Sequence, residues 1–470
     1  MIDKKDGIKE IIHRYIAIVS VLMVLTMTVL DGTVVNVALP VLAKEFSVSD
    51  STAIWIVTVY QLIITMLLLP ASSLGDIYSY KRNYAIGIVV FTVGSAGCAL
   101  SETFWMIIAT RAIQGVGAAM VMAVNVALVR LIYPPKYLGR GLAVNTMVIA
   151  IASAAGPSLA GGILSVASWH WLFIINIPVG IIAFFMACRY LPENPPKEHK
   201  IKFDRISAIA NVIVFGTLFY ALGNFARGGD IATNILLLCC GITVGIFYIR
   251  HLHGHEQPMF PIDLLHSKLY SLSIMTYTGS FIAQNVAMIA LPFLFLNGYG
   301  FSELTTGLLM TPWPLATMLV SPFAARFIEK HNAGATAAFG MLVYAIGIML
   351  LIIIPQGAVS EWNIAWRMAI CGAGFGIFQT PNATVMIQAA PVSRSGAAGG
   401  FQSTARIGGQ TLGATLVTLA FAWVSVPSGA GALYNGAPGV RLALYIALAF
   451  AVVAGGFSLS RTKSLAKKSR

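Results

Sequence analysis

Long runs of apolar residues, separated by short polar segments, repeat along the whole chain. A helix needs about 20 predominantly apolar residues to cross a bilayer. Fourteen runs approach or exceed that length, at residues 16–39, 53–74, 84–101, 104–131, 141–164, 171–191, 206–224, 232–250, 269–297, 304–325, 335–355, 364–388, 396–424 and 440–460. The pattern predicts an all-α polytopic membrane protein with fourteen transmembrane helices.

Composition supports this prediction and excludes several other classes. The 470 residues are 57% hydrophobic and 10% charged, whereas soluble proteins have about 25% charged residues. All five cysteines fall within apolar runs, so the sequence predicts no disulfide framework. The longest polar stretch, about residues 189–205, is too short for a soluble domain.

The distribution of basic residues predicts the orientation in the membrane. Lys and Arg number 30 and give a net charge of +13, but they lie in short loops rather than on one solvated face, so a nucleic-acid partner is not expected. If the N-terminus is in the cytoplasm, 24 of these 30 basic residues lie on the cytoplasmic side, four lie outside and two lie within spans. Both termini are basic, so both are predicted to be cytoplasmic and the number of crossings to be even. Fourteen crossings fit, and twelve remain an alternative if runs 206–224 and 232–250 do not cross.

Asp31 is a carboxylate within the first apolar run, where a charge is costly unless it is paired or functional. The first helix ends near Pro40, about 13 Å beyond Asp31, and the fourth begins near Phe104, about 10 Å before Arg111. Asp31 and Arg111 are therefore predicted at the same depth. Two interpretations remain: a permanent structural ion pair, or an Asp31 that exchanges a proton while Arg111 tunes it.

Several motifs resemble those of the major facilitator superfamily. The turn after the second span carries Asp76, Lys81 and Arg82, and the fourth span contains Arg111-x-x-Gln114-Gly-x-Gly. The first of these resembles the superfamily's loop motif, which implies a gating role for its acid and two bases. Small residues and a proline interrupt the fifth span at Gly156, Pro157, Gly161 and Gly162. This segment is explained by close helix packing or, because it resembles the superfamily's antiporter motif, by efflux.

The stretch Leu30-Asp31-Gly32-Thr33-Val34-Val35-Asn36-Val37-Ala38-Leu39-Pro40 and the Trp-rich entry to the sixth span extend the resemblance to the fourteen-helix drug:proton antiporter family. The resemblance implies a major facilitator fold of two six-helix halves, at residues 1–191 and 269–470, joined by a linker at 192–268 with two inserted helices. It also implies a substrate site near the midplane between the halves.

Polar residues at membrane depth are the candidates for that substrate site. The candidates are Asn36, Gln61, Gln114, Asn145, Tyr277, Gln284, Asn285, Gln379, Asn382 and Arg406. Helix-to-helix hydrogen bonding is the alternative for each amide. Arg406 has no acid in a second-half span, so it is either capped by backbone carbonyls, Gln379 and Asn382, or contacts an anionic or zwitterionic substrate.

No cofactor, metal or catalytic site is predicted. The histidines at 251, 253 and 255 have only Glu256 beside them, which does not complete a metal site. No phosphate-binding loop of the Gly-x4-Gly-Lys-Ser/Thr type is present, and no nucleophile accompanies Asp31 and Arg111.

The sequence thus predicts a monomeric exporter in the cell membrane, exchanging protons for amphipathic small molecules by alternating access. In this cycle Asp31 and Arg111 couple the proton. Export of an endogenous metabolite, such as a fatty acid, peptide or siderophore, on the same fold is the alternative function.

Overall fold

A computed structural model describes residues 4–133, 138–194, 203–226, 230–253, 259–327, 332–355, 359–389, 395–424 and 437–466. These ranges are built of α-helices and contain no strand. The helices are α1 (Lys4–Glu45), α2 (Asp50–Ala53), α3 (Trp55–Ile77), α4 (Tyr80–Ala99), α5 (Phe104–Ile132), α6 (Leu138–Val166), α7 (Trp171–Ile174), α8 (Asn176–Tyr190), α9 (Arg205–Ala226), α10 (Ile231–Leu252), α11 (Ile262–Leu265), α12 (Lys268–Phe293), α13 (Glu303–Met310), α14 (Pro312–Phe327), α15 (Ala333–Ile352), α16 (Glu361–Ala389), α17 (Ser395–Trp423) and α18 (Ala437–Ala466).

Each apolar run of the sequence is helical in the structure. By length and composition, eleven helical segments of the described ranges are suited to cross a membrane, including α9 and α10 of the inserted pair. The long helices α4, α16 and α17 are not among the eleven, and they carry polar residues such as Arg82, Asn382 and Arg406. The protein is therefore a multi-pass membrane protein, and the number of fourteen transmembrane helices remains a prediction.

Two of the predicted spans are interrupted by breaks that follow from proline chemistry. Residues 171–190 form α7 and α8 with Ile175 between them, and Pro178 has no N–H to donate to the carbonyl of Ile174. Residues 303–327 form α13 and α14, and α14 begins at Pro312, the position where a proline fits a helix best.

Polar residues between the apolar runs start several helices. At each of these positions a side-chain oxygen accepts from a backbone N–H of the first turn, which satisfies a donor that the helix itself leaves unpaired. The capping residues include Ser79 for α4, Thr103 for α5, Asp230 for α10, Ser302 for α13 and Asn332 for α15.

The helices before and after the inserted pair pack mainly among themselves. In the first group α1 packs on α6 and α8, and α5 packs on α3 and α4; in the second, α12 packs on α17 and α18, and α16 on α14 and α15. The two groups meet where α1 contacts α12, α3 contacts α17, and α6 contacts α13 and α14. The inserted helix α9 packs on α10, α3 and α17, so it touches both groups.

The apolar core is shared between the two groups on one side only. On the side where α1 ends, a continuous cluster joins Val34–Leu42 of α1 to Ala283–Phe295 of α12 and to Trp313 of α14. On the side where α1 begins, the first group's cluster includes only Ile407 from the second group among the described residues. The predicted extracytoplasmic side is therefore the one at which the two groups are packed together.

The ends of the inserted pair are held together by a polar cluster. Asp204 accepts from the backbone N–H of Ser207 at 3.0 Å and pairs with His251 at 3.2 Å. Burial raises the pKa of Asp204, but the hydrogen bonds from Ser207 and His251 outweigh it and leave the pKa below its ordinary value. Asp204 therefore stays ionised at neutral pH and links the start of α9 to the end of α10.

Candidate functional site

Asp31 and Arg111 form a direct ion pair inside the first group of helices. Arg111 Nη1 donates to Asp31 Oδ2 at 2.6 Å. Asp31 is 2% exposed and Arg111 is 0% exposed. The similar depths predicted from the helical rise therefore correspond to actual contact between α1 and α5.

Two amides complete the surroundings of the Asp31 carboxylate. Gln114 Nε2 donates to Asp31 Oδ1 at 2.8 Å, and Asn176 Nδ2 of α8 donates to the same oxygen at 3.2 Å. An ionised carboxylate only accepts hydrogen bonds, and that of Asp31 is met by donors from Arg111, Gln114 and Asn176. Asp31 is thereby held between α5 and α8.

Arg111 has further partners that do not involve α1. Its Nε donates to the carbonyl of Ile56 at 3.1 Å, its Nη1 to Gln114 Oε1 at 2.6 Å, and its guanidinium lies 4.0 Å from the Tyr60 ring centroid. Its Nη2 has no hydrogen-bond partner in the part of the chain that the structure describes. Arg111 is thus fixed to α3 and α5 even without Asp31.

A second layer supports Gln114 from α4. Gln114 Nε2 also donates to Ser95 Oγ at 2.8 Å, and Cys98 Sγ lies 3.7 Å from Gln114 Oε1. Gln114 was predicted to line the substrate site, but it is fully buried within this network. From this position Gln114 holds both Asp31 and Arg111 in place.

The remaining polar candidates fall into two groups, those that are hydrogen-bonded to a neighbouring helix and those that are not. Three amides join neighbouring helices: Asn145 accepts from Asn125 at 3.0 Å, Asn285 donates to the Gln410 carbonyl at 2.6 Å, and Asn382 donates to the Ser273 carbonyl at 3.2 Å.

Other candidates keep polar atoms available for a ligand. Asn36 and Gln61 are buried with side-chain oxygens that have no partner among the described residues. Gln284, Gln379 and Arg406 are half-buried. A Cβ added at Gly32, next to Asp31, would meet no atom within 4 Å, so open space lies beside this turn of α1.

Asn382, one of the alternative partners considered for Arg406, contacts a different arginine. Asn382 Oδ1 accepts from Arg461 Nη1, which also donates to Ser273 Oγ at 2.8 Å. Arg461 is 0% exposed and is the last residue of the candidate span of α18. The last predicted span ends at residue 460, just before Arg461, because an apolar pattern does not show where α18 ends relative to α16.

The predicted gating residues lie at the turn between α3 and α4. Asp76 and Arg82 are exposed, and Asp76 Oδ1 accepts from the Tyr80 hydroxyl at 2.5 Å. Neither Lys81 nor Arg82 is in an ion pair within the described ranges. Asn194 braces the turn by accepting from the Tyr80 N–H at 2.8 Å and donating to the Gly75 carbonyl at 3.1 Å.

The glycines of the fifth predicted span are sites of close helix approach. A Cβ added at Gly156 would overlap Thr33 Oγ1 of α1, and one at Gly161 would lie 2.5 Å from the Glu303 carbonyl of α13. A Cβ added at Gly307 of α13 would overlap the Pro157 carbonyl, whereas Gly162 faces open space. These contacts bring α6 against both α1 and α13.

Sequence reasoning missed Asn176, Ser95 and Tyr60 as partners of the ion pair. Asn176 was visible as an amide in an otherwise apolar stretch, but neither its depth nor its direction follows from spacing. Among the described residues no group of three or more His, Cys, Asp or Glu is arranged to hold a metal ion. His255 and Glu256 lie outside the described ranges.

Comparisons with known proteins agree with this architecture. The family model described as Major Facilitator Superfamily matches residues 21–414. The uncharacterized transporter YebQ of Escherichia coli is 46% identical over 407 residues, which cover 87% of this chain and 89% of YebQ. The multidrug resistance protein Stp of Mycobacterium tuberculosis is 30% identical over 405 residues, 85% of this chain and 75% of Stp.

A solved structure is similar over nearly the whole chain. It is the inward-facing and unoccupied conformation of a bacterial homologue of the human lysosomal transporter Spinster, with a TM-score of 0.68 over 97% of this chain and 98% of that one. At 14% identity the likeness concerns the fold alone.

Proposed function

The chain belongs to the Major Facilitator Superfamily and is a transporter rather than an enzyme, and from that premise we propose that it is a proton-coupled exporter of amphipathic small molecules. Protons move inward through Asp31 while substrate moves outward by alternating access. Similarity to Stp, whose name records multidrug resistance, supports the direction of transport.

The proposal rests on the surroundings of Asp31. It is a buried carboxylate in the middle of α1, held by Arg111, Gln114 and Asn176. Ionisable residues inside membrane helices are costly and mark proton and substrate pathways. In the described parts of the candidate spans, the other acids lie at or near helix ends, as Asp50, Asp76 and Glu303 do.

Protonation of Asp31 would change which helices are tied together. A neutral carboxyl loses its charge-assisted bond to Arg111, which then keeps Ile56, Gln114 and Tyr60 as partners on α3 and α5. Leaving a buried arginine without its acid costs about 3–5 kcal/mol when nothing replaces it, and these partners reduce that cost. Because α1 also packs on α12, a released α1 transmits the change to the second group of helices.

The proposal extends to the other parts of the cycle. The two groups act as the six-helix halves 1–191 and 269–470, and fourteen helices cross the cell membrane with both termini in the cytoplasm. The glycine contacts of α6 close the extracytoplasmic side, and Asp76, Lys81 and Arg82 close the cytoplasmic side in the opposite state. The transporter works as a monomer.

Gradient-driven transport by the purified protein in liposomes tests the proposal. Three fluorescent probes share one skeleton and differ in charge: pyrenebutyrate, pyrenebutanol and pyrenebutylamine. With an acidic lumen, the wild type is expected to accumulate at least one of them above protein-free liposomes, and Asp31→Asn to accumulate none. Glu102→Gln, at an exposed position, serves as the matched control and retains transport. Gradient-driven accumulation by Asp31→Asn contradicts the coupling role.

Export of an endogenous metabolite remains the second candidate function. Its supporting observation is Arg406, a half-buried arginine in α17 for which no ion pair is found within the described ranges. Extrusion of metabolite carboxylates would use such a residue, and it predicts transport of pyrenebutyrate in the liposome assay.

A further inference from the structure

Three buried arginines have protein partners. Arg111 pairs with Asp31, Arg461 donates to Ser273 and Asn382, and Arg367 donates to the carbonyl of Leu350. Arg406 of α17 differs from these three. It is half-buried and makes no hydrogen bond or ion pair with a described residue.

Arg406 also remains within reach of solvent. Its side chain is half-buried, whereas Arg111 and Arg461 are 0% exposed. Its nitrogens have no hydrogen-bond partner among the described residues, yet they are not among the polar atoms that are buried from solvent. A water molecule can therefore reach the guanidinium. A charge that is both deep in the bundle and accessible from an internal space is placed to meet a ligand.

The immediate neighbours of Arg406 are polar and come from two helices. Tyr277 is buried in α12, which packs on α17, and Gln402 lies half-buried one turn before Arg406 on α17. One turn after it, Gly409 lets α12 approach closely, since an added Cβ would lie 2.9 Å from the Thr278 carbonyl. The guanidinium therefore lies between α12 and α17 beside a phenol and an amide.

The charge of Arg406 is not balanced nearby. In the described part of the second group the acids are Asp263, Glu303 and Glu361, which lie in the short α11 and at the first residues of α13 and α16. A buried charge without a partner is strongly unfavourable, and a guanidinium presents a planar set of donors that matches a carboxylate or phosphate.

We propose that Arg406, with Tyr277 and Gln402, binds an anionic group of the transported molecule, so that the preferred substrates are amphipathic anions or zwitterions. This assignment rests on the proposed export function and adds the chemical class of the cargo. The guanidinium pairs with the anionic group, and Tyr277 and Gln402 contribute hydrogen bonds. The apolar part of the substrate lies against neighbouring helices.

Equilibrium binding without a pH gradient tests this assignment separately from proton coupling. Tritiated pyrenebutyrate is bound to the purified transporter in nanodiscs, and unlabelled pyrenebutanol and pyrenebutylamine are used as competitors. A charge-assisted hydrogen bond stabilises by about 1.5–3 kcal/mol, so the wild type is expected to bind the carboxylate about tenfold more tightly than the alcohol.

The variants identify the residue responsible for the preference. Arg406→Gln is expected to bind the carboxylate and the alcohol equally, and Arg406→Lys to keep a smaller preference because an ammonium lacks the planar fork. Arg250→Gln, at an exposed arginine of α10, is the matched control and keeps the full preference. Should Arg406→Gln fail to fold, the ratio measured for Arg406→Lys still decides.

The outcomes distinguish this assignment from the coupling role of Asp31. Asp31→Asn is expected to keep the carboxylate preference even though it loses gradient-driven transport. A wild type that does not bind the carboxylate more tightly than the alcohol overturns the assignment. It is also overturned if Arg406→Gln, or Arg406→Lys where the first variant does not fold, keeps the full wild-type preference. A variant that only gains pyrenebutylamine binding shows that Arg406 repels cations, which contradicts a binding role.

Discussion

Three residues donate hydrogen bonds to the Asp31 carboxylate, and each of them contributes something different. Arg111 supplies the opposite charge, Gln114 joins the pair to Ser95 of α4, and Asn176 reaches it from the start of α8. A protonated carboxyl can keep one acceptor role and gain a donor, so each of these contacts is affected when a proton binds. Proton binding at Asp31 would therefore affect contacts with several helices.

Asn176→Ala is expected to slow gradient-driven probe transport, because Asp31 then loses the hydrogen bond that ties it to α8. A hydrogen bond to a charged group stabilises by about 1.5–3 kcal/mol, so the initial rate is expected to fall severalfold. Initial rates are measured under one fixed pH gradient. Asn224→Ala is the control, because Asn224 hydrogen-bonds to Asn234 within the inserted pair. A wild-type rate in Asn176→Ala contradicts the role of this amide.

The depth of Asp31 and Arg111 could be derived from the sequence, but the direction of an amide side chain could not. The helical rise placed Asp31 and Arg111 at one level, and the structure brings them into contact. Asn382 was one alternative partner of Arg406, yet it contacts Arg461. Which neighbour an amide meets depends on the rotation of its helix about its axis, and that rotation is set by packing against other helices.

At the level of elements, α6 is the helix that joins the first group to the second on the predicted extracytoplasmic side. Gly161 faces the start of α13, and Gly307 of α13 faces the Pro157 carbonyl. Small residues allow such close backbone approach in membrane helices. The contact therefore depends on the absence of side chains at these positions.

Gly161→Ala is expected to separate α6 from α13, whereas Gly162→Ala is expected to be tolerated. The added methyl group at Gly161 meets the Glu303 carbonyl at 2.5 Å, and the same group at Gly162 meets nothing within 4 Å. Overpacking costs about 1–3 kcal/mol. Thermal unfolding in detergent and the rate of probe transport are compared for the two variants. Equal values for both variants contradict a closed contact at Gly161.

Most elements of the fold were predictable, because an apolar run long enough to span a bilayer has few alternatives to a helix. The breaks were harder to predict. The interruption at Ile175 and the start of α14 at Pro312 lie inside apolar runs, and composition alone does not distinguish a broken span from a continuous one. The same limit applies to α4, α16 and α17, whose polar residues weaken the hydropathy signal while leaving the helices intact.

For the whole molecule, the arrangement of contacts indicates a state that is closed on the predicted extracytoplasmic side. The shared apolar core of α1, α12 and α14 lies there, and Ser158 of α6 is hydrogen-bonded to Thr311 beside α13 at 2.6 Å. Asp76, Lys81 and Arg82 on the other side form no ion pair among the described residues. Alternating access requires the packed extracytoplasmic contact to open and a contact among the residues on the other side to form.

A disulfide between the two groups of helices is expected to stop transport reversibly. The Ser158 and Thr311 side chains are in direct contact, with their oxygens hydrogen-bonded at 2.6 Å, so two cysteines at these positions would lie next to each other. The double variant Ser158→Cys/Thr311→Cys is oxidised and assayed for probe transport. We expect transport to be lost on oxidation and restored by dithiothreitol, with both single variants unaffected by oxidation. An oxidised double variant that still transports contradicts opening at this contact.

Proton movement caused by substrate is the measurement that tests the role of Asp31 most directly. Proteoliposomes with a pH-sensitive dye in the lumen receive a pyrene probe from outside, with no imposed pH gradient. The account predicts that probe entry drives protons out of the lumen in the wild type, and that Asp31→Asn moves no protons while Glu102→Gln behaves as the wild type. Substrate-driven proton movement of wild-type size in Asp31→Asn would contradict the account.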